Sequence, residues 1–299
     1  MSIPAAYLGV ILIWSTTPLA IKWSSEGAGF LFGAASRMVL GVVACLLLIA
    51  ILRRRMHWHR DALRTYLAAG LGIWGAMSCV YWASQFIPSG LIAVLFGLTP
   101  VVTGILAAIW LGERALTPAR VIGLGLGLAG LAVIFARELG IGSGAALGIT
   151  GILAAVSIHA ASSVWVKRVG AGIPGLETTT GALLIAVPLF VANWLAFDGS
   201  WPASIDARTL WSIVYLALAG STLGFILYYF VLTKLQASRV ALIPLVTPVL
   251  ALALGRTLNG ELLDARTLLG AAVILTGLAC WQWGDQGLSL LVRRRAASR

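Results

Sequence analysis

Long runs of apolar residues, separated by short polar segments, make up almost the whole chain. Each run is close to the roughly 20 residues that a helix needs to cross about 30 Å of hydrocarbon. Backbone polar groups inside a bilayer must bond within the protein, and helices satisfy this requirement. The pattern therefore predicts ten membrane-spanning helices: Pro4–Ile21, Phe30–Leu52, Thr65–Phe86, Ser89–Leu111, Arg120–Ala136, Leu147–Val166, Leu176–Phe197, Thr209–Thr233, Val240–Leu258 and Thr267–Gly284.

Part of the first half of the chain recurs in the second half. The segment from Tyr81 to Ala132 returns near Tyr229, with three matched motifs. These pairs are Leu98-Thr99-Pro100 with Val246-Thr247-Pro248, Gly112-Glu113 with Gly260-Glu261, and Gly130-Leu131-Ala132 with Gly277-Leu278-Ala279. Because each half has five predicted spans, an odd number, the two halves are expected to have opposite orientations in the membrane. The sequence predicts an all-α integral membrane protein with ten transmembrane helices, arranged as two inverted five-helix repeats.

Composition supports a membrane protein, and the basic residues predict its orientation. The chain of 299 residues is 60% hydrophobic and only 10% charged, against roughly 25% charged in soluble domains. Its net charge of +11 comes from short basic clusters between apolar runs, which favours contact with a lipid bilayer and no binding of nucleic acid. With a cytoplasmic N-terminus, fifteen of the 21 Lys and Arg residues fall on the inner side: Arg53, Arg54, Arg55, Arg60, Arg64, Arg114, Arg120, Lys167, Arg168, Lys234, Arg239, Arg293, Arg294, Arg295 and Arg299. The positive-inside rule then places both termini in the cytoplasm, and a bacterial inner membrane is expected.

These patterns divide the chain into three parts. Residues 1–137 form the first predicted repeat, residues 147–284 form the second, and residues 285–299 form a basic cytoplasmic tail. Gly125 to Gly130 match the pattern GxGxxG, but no strand precedes them, so no dinucleotide site is expected. Gly123 and Gly127 are spaced for close packing of helices, which we expect within one monomeric chain.

The chain resembles the EamA family of ten-helix exporters, within the drug/metabolite transporter superfamily. The likeness lies in Trp14-Ser15, Lys22, Arg37, Leu98-Thr99-Pro100, Gly112-Glu113, the glycine-rich Gly123–Gly130, and their echoes Thr247-Pro248 and Gly260-Glu261. The resemblance implies a basket-like fold, alternating access to a cavity between the halves, and export of amino acids, including aromatic ones, or of related metabolites. These motifs do not identify the substrate.

The first span contains an aromatic ring, hydroxyl groups and a helix breaker near its middle. Trp14, Ser15 and Thr17 are candidate substrate-binding residues, because Pro18 removes a backbone donor and frees a carbonyl that a substrate ammonium could use. Simple helix packing around a kink is the alternative. Further prolines in the spans are candidate hinges, and together with Pro18 the candidate hinge residues are Pro100, Pro244 and Pro248.

A few polar side chains are predicted to lie at membrane depth. Arg37 lies inside the second span, where it either binds a substrate carboxylate or ties helix ends together. His159 and Ser163 of the sixth span align with Trp14 and Pro18 when Lys167 is matched to Lys22, and they are further substrate-binding candidates. His159 is also the only buried group suited to a proton relay, although a hydrogen-bonding role is the alternative.

One face of the third span carries rings and small polar groups at helical spacing. Trp74, Ser78, Tyr81 and Trp82 would suit a neutral or aromatic amino-acid side chain, and Tyr228 and Tyr229 occupy the equivalent place in the eighth span. An aromatic belt at the membrane interface is the alternative explanation.

A secondary carrier of small molecules is the favoured function. A membrane enzyme would need a nucleophile with a base, a carboxylate pair or a metal cluster at membrane depth, and the sequence shows none, so no catalytic residue, cofactor or metal is expected. A receptor or scaffold would have no evident use for an inverted repeat. Efflux of drugs or of other metabolites is the alternative to amino-acid export.

Overall fold

The computed structural model describes residues 2–112, 117–138, 143–241, 243–261, 265–266, 268–277 and 279–280. These residues form helices and connecting turns, and no strand occurs among them. The helices are α1 (Ile3–Glu26), α2 (Phe30–Ile51), α3 (Arg60–Ala83), α4 (Ser89–Phe96), α5 (Thr99–Leu111), α6 (Pro118–Glu138), α7 (Ser143–Val169), α8 (Gly175–Phe197), α9 (Ala207–Tyr215), a π-helical segment (Leu216–Leu223), α10 (Gly224–Lys234), α11 (Ala237–Val240), α12 (Ile243–Asn259) and α13 (Leu268–Gly277).

Within the described residues, six helical stretches are long and apolar enough to cross a membrane. They are α1, α2, α4 with α5, α7, α8, and α9 through α10. The helix α3 is also long enough, but its tryptophan, tyrosine and glycine residues make it less apolar. Large apolar side chains such as Leu8, Leu47 and Phe197 are exposed on the outside of the molecule, where lipid would cover them. The chain is therefore a multi-pass helical membrane protein.

The predicted spans differ from the helices mainly at their interruptions. The stretch Ser89–Leu111 was expected as one helix, but a turn at Gly97 and Leu98 divides it into α4 and α5. Pro100 cannot donate to the carbonyl of Phe96, which lies four residues earlier. The Thr99 hydroxyl donates to that carbonyl instead, at 2.5 Å. Threonine next to proline thus satisfies the carbonyl at the break.

In the second copy, the Thr-Pro motif lies inside a helix. The ninth predicted span overlaps the end of the short helix α11 and the helix α12, which begins at Ile243. Within α12, Pro248 leaves the carbonyl of Pro244 without its usual donor, and the Thr247 hydroxyl bonds that carbonyl at 3.2 Å. The repeated Thr-Pro motif therefore has the same local hydrogen bond in both of its copies.

Helix α3 packs along both α7 and α8, and glycines allow the close approach. A Cβ atom on Gly70 would lie 2.7 Å from the carbonyl oxygen of Ala182 in α8, and one on Gly72 would overlap the side chain of Ser162 in α7. The Ser162 hydroxyl crosses the same boundary and donates to the carbonyl of Ala68 at 2.9 Å. These three helices form a tightly packed block.

The glycine-rich helix α6 also packs closely within the chain. A Cβ on Gly277 of α13 would lie 2.7 Å from the carbonyl oxygen of Gly123 and 2.8 Å from the amide nitrogen of Gly127, and one on Gly130 would lie 2.6 Å from the carbonyl oxygen of Gly270. The predicted use of these glycines in helix packing is confirmed. The end of the tenth predicted span beyond Cys280, the tail of residues 285–299, and Glu113 lie outside the described residues.

Candidate functional site

A cavity opens near the middle of the helices, with an empty volume of about 610 Å³ that includes its opening. Its walls come from helices in both halves of the chain: α1, α2, α3, α4, α7, α10 and α12. The lining residues are Trp14, Thr17, Pro18, Ile21, Arg37, Met77, Val80, Ile92, Ala93, Phe96, His159, Phe225, Pro244 and Thr247. The surface is mostly apolar with a few polar groups, which is typical of small-molecule binding sites.

Aromatic rings cluster around Trp14 on one side of the cavity. The Trp14 ring lies 5.0 Å from the Tyr228 ring, 5.9 Å from His159 and 6.1 Å from Phe225, measured between centroids. The contacts with His159 and Phe225 are edge-to-face, a favourable geometry for aromatic pairs. Phe96 adds another ring, 6.4 Å from His159. Four helices remote in sequence, α1, α4, α7 and α10, thus supply one aromatic wall.

Hydrogen bonds fix the two residues behind this wall. The Ser163 hydroxyl donates to the carbonyl of His159, one turn earlier, at 2.7 Å. The same hydroxyl lies 2.5 Å from the phenol oxygen of Tyr228, which connects α7 to α10. Ser163 and Tyr228 are buried and are not among the lining residues. Their positions support the rings of His159 and Trp14.

The one charged side chain in the cavity wall is Arg37, and it is almost completely buried. Its Nε donates to the hydroxyl of Ser221 at 2.7 Å. Ser221 lies in the π-helical segment, against which Gly41 of α2 packs closely. The guanidinium carbon lies 6.0 Å from the centre of the Tyr81 ring. The Nη1 atom is buried without a hydrogen-bond partner among the described residues.

Two prolines, Pro18 and Pro244, lie among the residues that line the cavity. Pro18 lies inside α1 and cannot donate to the carbonyl of Trp14. The neighbouring Thr17 hydroxyl bonds the carbonyl of Ile13 at 2.9 Å, so it does not replace that donor. Pro244 and Thr247 line the cavity from α12. The cavity is therefore bordered by irregular helix backbone, a common feature of transporter binding sites.

The remaining predicted residues lie away from this cavity or behind its walls. Ser15 bonds the carbonyl of Ile11 within its own helix, Trp82 packs against Phe86 and Gly151, and Tyr229 lines a separate space beside Lys167. Trp74 Nε1 and Ser78 Oγ are buried without partners among the described residues, and Tyr81 is buried beside Arg37. Pro100 and Pro248 are buried at the Thr-Pro motifs and do not line the cavity.

Several lining residues were not anticipated from the sequence. Helix α3 presents Met77 and Val80 to the cavity, while Phe96 and Phe225 supply the extra rings. Apolar residues in membrane helices give little signal of this kind, since lipid-facing and cavity-facing positions look alike in sequence. Pro100 was the available sequence clue that Phe96 lines the cavity, because a proline interrupts the helix here and Phe96 is the last residue of α4.

At one end of α1 and α12, a network of hydrogen bonds is centred on Glu261, which is mostly buried. Its carboxylate accepts hydrogen bonds from Ser89 N at 3.0 Å, Ser89 Oγ at 2.8 Å and Gly90 N at 3.3 Å. Asn259 donates to Glu261 Oε1 at 3.2 Å and accepts from Trp23 Nε1 at 2.8 Å. The network joins the ends of α1 and α12 to the beginning of α4.

An apolar exterior, several membrane-length helices and a central cavity bordered by broken helices define a multi-pass membrane transporter. The model of the EamA-like transporter family matches the chain twice, over residues 2–136 and 146–281, and the chain therefore belongs to that family. It is a transporter and not an enzyme.

Relatives and a solved structure agree with this assignment. The chain is 26% identical to the uncharacterized transporter YoaV of Bacillus subtilis, over 91% of this chain and 93% of that protein. It is 28% identical to a probable amino-acid metabolite efflux pump of Escherichia coli, with coverages of 90% and 91%. A probable terminal-alkyne amino-acid exporter of Streptantibioticus cattleyicolor is 27% identical, with coverages of 97% and 92%. A crystal structure with 21% identity and a TM-score of 0.70 covers 96% of this chain and 98% of that one, which shows the same fold.

Proposed function

We propose that the protein is a secondary carrier that exports amino acids, aromatic or otherwise neutral, or related small metabolites, across a bacterial inner membrane. The observation that carries this proposal is the central cavity, whose wall combines Trp14, Phe225 and His159 with the single cation Arg37. Rings bury an apolar side chain and a cation attracts a carboxylate. The names of the relatives in Escherichia coli and Streptantibioticus cattleyicolor support the same substrate class.

The proposed mechanism is alternating access between two inverted five-helix repeats. The double match of the family model, over residues 2–136 and 146–281, supports two related halves. The corresponding hydrogen bonds of Thr99 and Thr247, each to the carbonyl three residues earlier, add a local likeness. A central site between such halves opens to one side of the membrane and then to the other. The basic clusters favour cytoplasmic termini, and one chain is taken as the working unit.

The lining favours amino acids over cationic drugs, the alternative substrate class. The described cavity wall contains Arg37 and no carboxylate, so a lone cation would meet like charge without a counter-ion. An amino acid carries an anionic group that can face Arg37. Its ammonium can use the face of Trp14 and the carbonyl that Pro18 leaves free.

The direct test is counterflow in proteoliposomes that contain the purified protein. Vesicles loaded with unlabelled phenylalanine, leucine or threonine are diluted into the labelled amino acid, and we expect transient accumulation of the label. Protein-free vesicles and vesicles loaded with ethidium serve as controls. Accumulation of ethidium, with none of any amino acid, would replace the proposal with drug efflux.

A further inference from the structure

We propose that Arg37 binds the carboxylate of the transported molecule, so that the carrier requires substrates with a carboxylate next to an apolar group. This inference rests on the proposed function and narrows its substrate class. It depends on the environment of one guanidinium, which the sequence alone left open between ligand binding and a structural tie.

Arg37 is 1% exposed, and it makes no ion pair among the described residues. A buried charge without a counter-ion is costly, and a bound anion would remove most of that cost. The ion pairs in the described part of the chain lie elsewhere: Arg54 with Glu177, Arg64 with Asp61, and Arg208 with Glu26. The empty side of Arg37 therefore suits an anionic ligand.

The guanidinium is held through one nitrogen. Ser221 accepts from Nε, and this is the hydrogen bond that Arg37 makes among the described residues. Gly220 of the same π-helical segment leaves room beside Nη2, since a Cβ there would be 3.1 Å from that atom. Nη1 is buried without a partner among the described residues, and Arg37 lines the cavity. A π-helical segment is often found at functional sites. A purely structural arginine would be expected to use all of its donors.

The rest of the wall defines what accompanies the carboxylate. Trp14, Phe225 and Met77 line the same space and offer apolar contact to a side chain. A carboxylate at the terminal nitrogens of Arg37 gains charge-assisted hydrogen bonds in a site with little water, where such bonds are strong. The site thus recognises a small organic acid with an apolar body, and neutral amino acids belong to this class.

The test separates the carboxylate from the rest of the ligand. Four unlabelled compounds are tested as competitors of labelled phenylalanine in counterflow: L-phenylalanine, L-phenylalaninamide, 3-phenylpropionate and phenethylamine. Each compound is tested with the wild type, Arg37→Lys, Arg37→Gln and the control Arg208→Gln. We expect the wild type and Arg208→Gln to favour both acids over the amide and the amine by roughly ten- to hundredfold, the worth of hydrogen bonds to a charged group. Arg37→Gln should lose this preference, and Arg37→Lys should keep part of it.

A second measurement does not depend on transport. The thermal unfolding midpoint of each purified protein is measured in detergent with each of the four compounds at millimolar concentration, because a ligand that binds the folded state raises that midpoint. We expect 3-phenylpropionate to stabilise the wild type and not Arg37→Gln, and phenethylamine to stabilise neither. If Arg37→Gln does not fold, the wild-type ranking of acid against amide decides the question.

The outcomes distinguish this inference from the proposed function. Equal wild-type responses to acid and amide, or the same acid preference in Arg37→Gln, would overturn the role of Arg37 while amino-acid counterflow stands. Stabilisation by the two acids through Arg37, without counterflow of any amino acid, would support the site and count against amino-acid export. No stabilisation by either acid overturns the inference.

Discussion

The carboxylate of Glu261 accepts a hydrogen bond from the backbone amide of Ser89, 3.0 Å away and 172 positions earlier in the chain. Ser89 begins α4, where the N-cap residue Pro88 has no side-chain hydrogen bond to offer. The first amides of a helix lack partners within the helix and attract negative charge. Glu261 therefore caps a helix of the other half of the chain.

Glu261→Ala should weaken this end of the molecule. The buried Ser89 and Gly90 amides would lose their acceptor, which lowers the free energy of unfolding by about 1–3 kcal/mol. Thermal unfolding in detergent measures the change, and Glu261→Gln, which keeps an oxygen acceptor, should lose less. An unchanged unfolding midpoint in Glu261→Ala would show that the cap contributes no stability.

Trp14→Ala should reduce amino-acid transport while the protein remains folded. The indole packs against the rings of His159, Phe225 and Tyr228 in the aromatic wall, and its loss removes a large apolar surface, so that KM for phenylalanine should rise by roughly tenfold. Trp211→Ala removes an exposed tryptophan of α9 and serves as the matched control. Equal kinetics of the two variants would exclude Trp14 from the site.

Pro18→Ala should stabilise the protein and slow its turnover. Alanine restores the amide that can bond the Trp14 carbonyl, which makes α1 more regular and stiffer beside the cavity. The matched control is Pro188→Ala, because Pro188 is exposed inside α8 and does not line the cavity. Counterflow rates are compared at equal amounts of reconstituted protein. A turnover as fast as that of Pro188→Ala would contradict a hinge at Pro18.

Gly70→Ala should destabilise the boundary between α3 and α8. The added methyl would lie 2.7 Å from the Ala182 carbonyl oxygen and 2.8 Å from the Ile185 Cβ, and relieving such overpacking costs about 1–3 kcal/mol. Gly125→Ala is the control, since a Cβ on Gly125 has no neighbour within 4 Å. Unfolding midpoints of the two variants should differ by several degrees. Equal midpoints would show that α3 and α8 can move apart to accommodate the methyl group without loss of stability.

Asp206 should make the start of α9 sensitive to acid. Hydrogen bonds from the Thr209 amide, at 2.6 Å, and from its hydroxyl hold the pKa of Asp206 below its usual value. Because the folded-state pKa is the lower one, the stabilisation is present above the unfolded-state pKa, about 3.9, and is lost as the pH falls through the folded-state value. The unfolding midpoint of Asp206→Ala should therefore lie below that of the wild type at pH 7 and approach it near pH 3. A constant difference at both pH values would argue against this cap.

Much of the helical framework could be predicted from the sequence. Hydropathy located the long spans because burial in lipid demands continuous apolar segments. The packing role of Gly123 and Gly127 was also predictable, since only small residues permit such backbone contact. The π-helical segment Leu216–Leu223 gave no such signal, because its sequence is as apolar as an ordinary membrane helix.

The candidate site was predicted less completely. Trp14, Thr17, Arg37 and His159, which were selected as polar or aromatic residues at membrane depth, line the cavity, and their role in substrate binding stays a prediction. Helical spacing grouped Trp74 with Ser78, but spacing shows only which residues share a face and not which neighbour that face meets. That choice depends on how α3 packs on α7 and α8, which is a matter of tertiary contact.

The glycine contacts of α3 also have a consequence for movement. At Gly70 and Gly72, α3 packs directly against α8 and α7 with no space between them. We therefore expect these three helices to move together and not to slide past one another. The ends of α1, α4 and α12 are joined instead through the side chains of Trp23, Asn259 and Glu261. Side-chain bonds can break and re-form with water at little net cost. We therefore expect the contact between α1, α4 and α12 to separate more readily than the packed block of α3, α7 and α8.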